Sequence, residues 1–191
     1  IEAKVTRIEL IKQLDGQDAA EKELKSVIDK QPDEPSLQFV MARLYESAGK
    51  TEQAREVYQK LIGEGVDSPS SRQANNRLAI LLAQKGEFEK AIEQLQQVLK
   101  SKPDDNDTLV LRGNINLTRK AYEAAINDYR TVLRDQPNSP KVLRLLGKAQ
   151  ALAGNLAEAK RNYQLAIELE PAFVEGYLEY ALLMQQARDF E

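Results

Sequence analysis

Small residues recur along this chain at a nearly constant interval, and that recurrence constrains the fold more than any other feature. Ala20, Ala54, Ala91, Ala125 and Ala159 are separated by 34, 37, 34 and 34 residues. Ala42, Ala79, Gly113, Gly147 and Ala181 repeat the same intervals, with the same three-residue insertion between the second and third members. A third ladder of bulky residues, Leu24, Tyr58, Leu95, Tyr129 and Tyr163, follows the first by four positions, which places it on the same helical face. A fixed period of this length means stacked supersecondary units, each too small to bury its own apolar face alone.

Breakers divide each unit in two. Pro32, Pro103, Pro137 and Pro171 each follow an amphipathic stretch, where a missing N–H and a fixed φ stop the helix. Gly49, Gly86 and Gly154 fall between the halves, where the turn calls for φ above zero. Lys120 stands there in the fourth unit and predicts a looser turn, since a side chain in that conformation costs roughly 1 kcal/mol. Ala or Gly on one helix makes room for the bulky residue of its partner, so each unit reads as two packed antiparallel helices.

Taken together, Leu146-Gly147, Ala159, Tyr163, Ala166 and Pro171 resemble the tetratricopeptide repeat, with bulky, small, aromatic and Pro residues at set offsets in 34 positions. The resemblance covers essentially the whole chain. It implies an all-α, right-handed α-solenoid of stacked antiparallel helix pairs, with units at 1–34, 35–71, 72–105, 106–139 and 140–173 and a partial unit at 174–191. The first unit departs from the pattern, with Lys4 and Arg7 where bulky apolar residues belong. In the second, Gly63-Glu64-Gly65 and an N-cap and first-turn proline pair, Ser68-Pro69, predict a longer connection. Arg188-Asp189-Phe190-Glu191 resembles the opening of another second helix, so the chain reads as a fragment of a longer array. Phe173, Tyr177, Tyr180, Leu183 and Met184 then lie at an uncapped C-terminal end, a surface for self-association.

Composition narrows function by exclusion. The 191 residues hold no Cys and no His, which removes disulfides, Cys/His zinc sites, thiol nucleophiles and histidine bases. A net charge of -3 supplies no broad positive field, so nucleic acid is not an expected partner. No apolar run is long enough to insert in a membrane. The start at Ile1 leaves a preceding leader open, and compartment, cytoplasmic or periplasmic, stays open with it. Asp104-Asp105-Asn106-Asp107 lacks the Gly and closing Glu of a calcium loop and reads as a helix cap. Glu87 and Glu89 sit on a polar face with nothing evident to shift their pKa values. Neither a catalytic group nor a cofactor or metal is expected.

What the resemblance implies for function is a protein-binding scaffold or adaptor: the first helices line a concave groove for a peptide or partner helix. The family's contact offsets fall on Phe39, Arg43 and Glu46, then on Gln73, Asn76, Arg77, Ile80 and Gln84. Asp107, Val110, Asn114 and Leu117 follow, then Lys141, Arg144 and Lys148, and finally Glu175, Leu178 and Glu179. Lys141, Arg144 and Lys148 form one helical stripe, with Arg77 expected across the groove, and this suits acidic side chains or a free C-terminal carboxylate. The more ordinary reading is a solvated helix face carrying ordinary charges, with Glu175 as a neighbour. The two-carboxylate clamp of some relatives is not expected, because Val110, Leu145, Glu175 and Glu179 replace all but Asn114 of its residues. Two alternatives remain: a structural spacer in a bacterial envelope or polysaccharide-export assembly protein, and a regulatory arm of an enzyme.

Overall fold

The computed structural model describes residues 2–32, 34–63 and 68–188, with the side chains described from residue 3 to residue 185 within those ranges. Among the described residues there are eleven α-helices and no strand. They run α1 (Glu2–Asp15), α2 (Gln17–Lys30), α3 (Pro35–Ser47), α4 (Thr51–Gly63), α5 (Pro69–Gln84) and α6 (Phe88–Ser101). Then come α7 (Asn106–Thr118), α8 (Tyr122–Asp135), α9 (Pro140–Leu152), α10 (Leu156–Leu169) and α11 (Val174–Arg188). Odd-numbered helices are the first helices of the repeats and even-numbered ones the second. The chain forms two compact units, Ile1–Ser101 and Lys102–Glu191.

The ladders are the core. Ala20, Ala54, Ala91, Ala125 and Ala159 are completely buried, as are Tyr58, Leu95 and Tyr129, with Leu24 and Tyr163 nearly so. The small residues of the first helices are small because the bulky ladder faces them: a Cβ on Gly113 would sit 2.6 Å from the Tyr129 ring, and one on Gly147 3.3 Å from the Tyr163 ring. Each helix before Pro32, Pro103, Pro137 and Pro171 stops two residues short of it, at Lys30, Ser101, Asp135 and Leu169.

The turns inside the repeats share one hydrogen-bonded motif. Gly49, Gly86 and Gly154 have φ of 70, 80 and 86°. The next residue's N–H reaches back five positions, as in Lys50 to Tyr45, Glu87 to Leu82 and Asn155 to Gln150 at 2.8–2.9 Å. Lys120, with φ 63°, makes the same turn, and Ala121 N–H meets the Asn116 carbonyl at 2.8 Å. The expected loosening at Lys120 is therefore absent; the strain is held within the residue and the bonds stay short. The first repeat differs: Gly16, at φ 89° and ψ 179°, joins α1 to α2 as a single-residue link in a region open essentially to Gly alone.

The three-residue insertion falls mainly within a helix that opens, as expected, at Ser68-Pro69. Helices α3, α7 and α9 have 13 residues each, whereas α5 has 16. Ser68 caps α5, its hydroxyl accepting from Ser71 N–H at 3.0 Å, and Pro69 opens its first turn, so the insertion lengthens a helix. The third helix pair thus starts at Pro69, inside the stretch 35–71. Glu64 and Gly65 lie outside the described residues, as does the Phe190 correspondence. In α1 the misplaced polar residues bind its partner: Arg7 pairs with Glu23 at 2.9 Å, Lys4 donates to Gln31, and Ile8 fills the core.

Candidate protein-binding site on the first helices

In the first compact unit the structure separates the predicted residues into two settings. Phe39 is half-buried and packs on the Tyr58 ring, centroids 5.5 Å apart. Asn76 is half-buried on α5 and already engaged by a neighbour. Arg77 pairs with Glu46 of α3, and both charges act on the buried Tyr58 phenol, which burial pushes far up. Arg43, by contrast, is exposed and lines a cavity of about 120 Å³ between α1 and α3, with Val5, Ile8, Val40 and Leu44 as its apolar wall.

The second compact unit repeats that division. Val110 is half-buried. Asn114 is exposed, with its Oδ1 accepting from the Tyr129 hydroxyl at 2.8 Å. Lys141 is exposed and has no ion-pair partner among the described residues. Arg144, only 18% exposed, donates to Glu179 of α11 at 2.8 Å and lies over the Phe173 ring at 5.7 Å. Lys148 reaches the same carboxylate at 3.4 Å but stays 48% exposed. It borders a cavity of about 240 Å³ between α9 and α11, lined by Ala151, Leu152, Tyr163, Leu182 and Leu183.

Arg77 and Arg144 are thus each neutralised by a glutamate from the neighbouring first helix, 31 and 35 residues away. Sequence reasoning placed Glu46 and Glu179 among the groove residues without pairing them, and it named Glu175 as the neighbour of the basic stripe. The signal was present: opposite charges roughly one period apart stand side by side on adjacent first helices. Missed altogether were Leu152 and Leu182 and the pair Arg112–Asp128. In that pair the guanidinium donates from Nη2 at 2.6 Å and from Nε at 3.1 and 3.2 Å to a nearly buried carboxylate. Asn116 adds a bond to Asp128 at 3.3 Å.

Chemistry other than binding has little to work with. Among the described residues the carboxylates with shifted pKa values, Glu34, Glu52, Glu87 and Asp105, all move down, away from acid or base work near neutral pH. For Glu87 the hydrogen bond from Lys90 is the cause, a shift the sequence did not suggest. Asp105 caps α7, its Oδ1 accepting from Thr108 N–H at 3.1 Å and from the Thr108 hydroxyl at 2.8 Å. No helix is long and apolar enough to cross a membrane among the described residues.

A family model described as tetratricopeptide repeat matches residues 15–69, 39–106, 76–140 and 111–172. This chain is a tetratricopeptide-repeat protein. The fold agrees: a solved tetratricopeptide repeat protein from Parabacteroides merdae superposes with a TM-score of 0.77 at 20% identity, covering 95% of this chain and 71% of that one. The crystal structure of a thermophilic protein of this family in Thermus thermophilus gives 0.70 at 18% identity, with 96% and 98% covered. MamA from Desulfovibrio magneticus gives 0.71 at 21%, with 82% and 87% covered. The all-α solenoid of antiparallel helix pairs is therefore its fold class, one suited to a protein-interaction scaffold.

Among curated relatives, the chain is 26% identical over 193 residues to cellulose synthase operon protein C of Xanthomonas axonopodis, covering 91% of this chain and 12% of that protein. It is 26% identical over 110 residues to the CTR9 homolog of Arabidopsis thaliana, covering 57% and 10%. It thus spans about a tenth of the length of these relatives.

Proposed function

We propose that this tetratricopeptide-repeat chain is a protein-interaction segment that binds a peptide or a partner helix on the exposed face of its first helices. One observation carries this reading: in each compact unit an apolar cleft opens between successive first helices beside a predicted contact residue. Arg43 lines the cleft between α1 and α3, and Lys148 the one between α9 and α11. An apolar recess with a few polar groups at its edge is the usual form of a side-chain receptor. Arg77 and Arg144 contribute by holding neighbouring first helices together, and Phe39, Asn76, Val110, Asn114 and Lys141 complete the surface.

Selection of peptides from a displayed random library tests the reading, with Arg43→Glu and Lys148→Glu as competitors of unchanged helicity. The proposal requires enriched peptides whose binding is weakened by at least one of the two changes. Enrichment insensitive to both would place binding elsewhere and refute it. Arg144 is unsuited to charge reversal, because a second carboxylate beside the half-buried Glu179 would disturb the helix packing itself. The similarity across 91% of this chain to cellulose synthase operon protein C supports a second reading, a spacer segment within a longer assembly protein. Failure of every displayed peptide, with the fold intact, would favour it.

A further inference from the structure

Helix α5 starts one turn earlier than its counterparts, and the residue at their starting point is still a capping residue. Glu34, Asp105 and Ser139 are the N-caps of α3, α7 and α9, and each stands eight positions before the small residue of its helix, Ala42, Gly113 or Gly147. Eight positions before Ala79 stands Ser71, not Ser68. Two serines three residues apart can thus cap this helix: Ser68, which does so in this structure, and Ser71, which holds the register used by the other repeats.

Their surroundings differ. Ser71 is completely buried, and its hydroxyl oxygen has no hydrogen-bond partner among the described residues. A buried hydroxyl in that state costs free energy, and it gains a partner when Ser71 becomes the cap, since an N-cap oxygen accepts from the N–H three residues on, here Ala74. The turn before it is lightly held. Ser68 and Pro69 are exposed, Ser70 is half-buried, and serine is a poor helix former. Ser71 N–H donates to the Ser68 hydroxyl and Arg72 N–H to the Ser68 carbonyl, both at 3.0 Å. The following turn is fixed from inside, where the buried Asn75 amide donates to the Ser71 carbonyl at 3.0 Å without involving residues 68–70.

We infer that α5 has two alternative starts, a long form capped by Ser68 and a short form capped by Ser71. The short form gives up the bonds to Ser68, gives the Ser71 hydroxyl its partner, and leaves a helix of Arg72–Gln84, the same length as α3, α7 and α9. The extra turn is a reserve of three residues that the connection from α4 draws on while the rest of α5 stays packed.

Amide hydrogen exchange of the whole chain, followed by NMR, separates the two forms. The Arg72 and Gln73 amides bond the Ser68 and Pro69 carbonyls in the long form and lose those bonds in the short one, whereas Ala74 and Asn75 stay bonded in both. The expected pattern is exchange at Arg72 and Gln73 through an opening that leaves Ala74 and Asn75 protected. Ser68→Ala, at an exposed site, should speed exchange at Arg72 and Gln73 about fivefold, the usual worth of a cap, with Ala74 and Asn75 unchanged. Ser71→Cys nearly keeps the size and helix propensity of serine but puts a weak acceptor at the inner cap. It should slow exchange at Arg72 and Gln73 and, combined with Ser68→Ala, let exchange run on through Ala74. The inference is overturned if Ser71→Cys leaves the Arg72 and Gln73 rates where they were, or if Ser68→Ala exposes Ala74 and Asn75 along with them, because the end of α5 then simply frays. Exchange of all four amides at one rate in the parent overturns it as well. Where the buried substitution disturbs folding, the pattern in Ser68→Ala alone decides.

Discussion

Gly113 and Gly147 occupy equivalent places in successive repeats, yet the space around them differs by enough to separate their behaviour. A methyl group on Gly113 meets the edge of Tyr129 at 2.6 Å, and that ring is fully buried, with its hydroxyl tied to Asn114. Gly113→Ala should cost about 1–3 kcal/mol, the range for forcing an extra carbon into a packed core, and Gly147→Ala less. Chemical denaturation checks both. The third repeat pairs Ala79 with Leu95, so Tyr129→Leu should recover part of the loss in the Gly113→Ala background, which a double-mutant cycle measures as coupling. At Lys120 the sign reverses: Lys120→Gly should raise stability by about 0.5–1 kcal/mol, since the turn's bonds are already made and only the side-chain strain is relieved. These pairings were legible in the sequence because each small residue keeps a fixed distance from its bulky partner.

Helix ends and helix pairings differ in how far they can be read. Asp105 caps α7 through local bonds, and a cap is visible in three or four consecutive letters. Burial pushes its carboxyl up, but the bonds from the Thr108 hydroxyl and N–H and the charge of Lys102 outweigh burial and hold it below the usual Asp range. A carboxyl depressed in the folded state stabilises above its unfolded pKa of about 3.9, and that stabilisation is lost as pH falls through the folded value. Asp105→Ala should therefore cost about 1 kcal/mol at pH 7, and denaturation curves of the two proteins should converge in acid, once the pH has fallen through the folded value. The Arg112–Asp128 pair was missed although part of its signal was present: Arg112 stands in register with Leu146, a bulky apolar position of the repeat, and a charge there calls for a partner on the second helix. In the next repeat Leu146 stands in place of Arg112, and Gln150 and Asn162, the equivalents of Asn116 and Asp128, keep a hydrogen bond at 2.6 Å without the charge. Asp128→Ala leaves Arg112 without its carboxylate inside the helix pair and should cost about 3 kcal/mol, read as a lowered denaturation midpoint.

Over the whole molecule the repeat fixes class and core, and the surface obeys a weaker rule. Helix packing leaves few choices at Ala54, Ala91 or Tyr129, whereas a first-helix surface position can hold Arg144 in one repeat and Leu178 in the next. Family offsets point to a face and do not say what its charges do: Arg77 and Arg144 are paired with Glu46 and Glu179, while the clefts are walled by apolar residues outside the basic stripe. The most direct test of the first-helix face as the binding surface is chemical-shift mapping of the isotope-labelled protein titrated with a peptide selected against it. The account predicts that the perturbed amides and methyls cluster on α1 and α3, or on α9 and α11, around the two clefts. Perturbations confined to the outer surfaces of second helices such as α8 and α10 would contradict it.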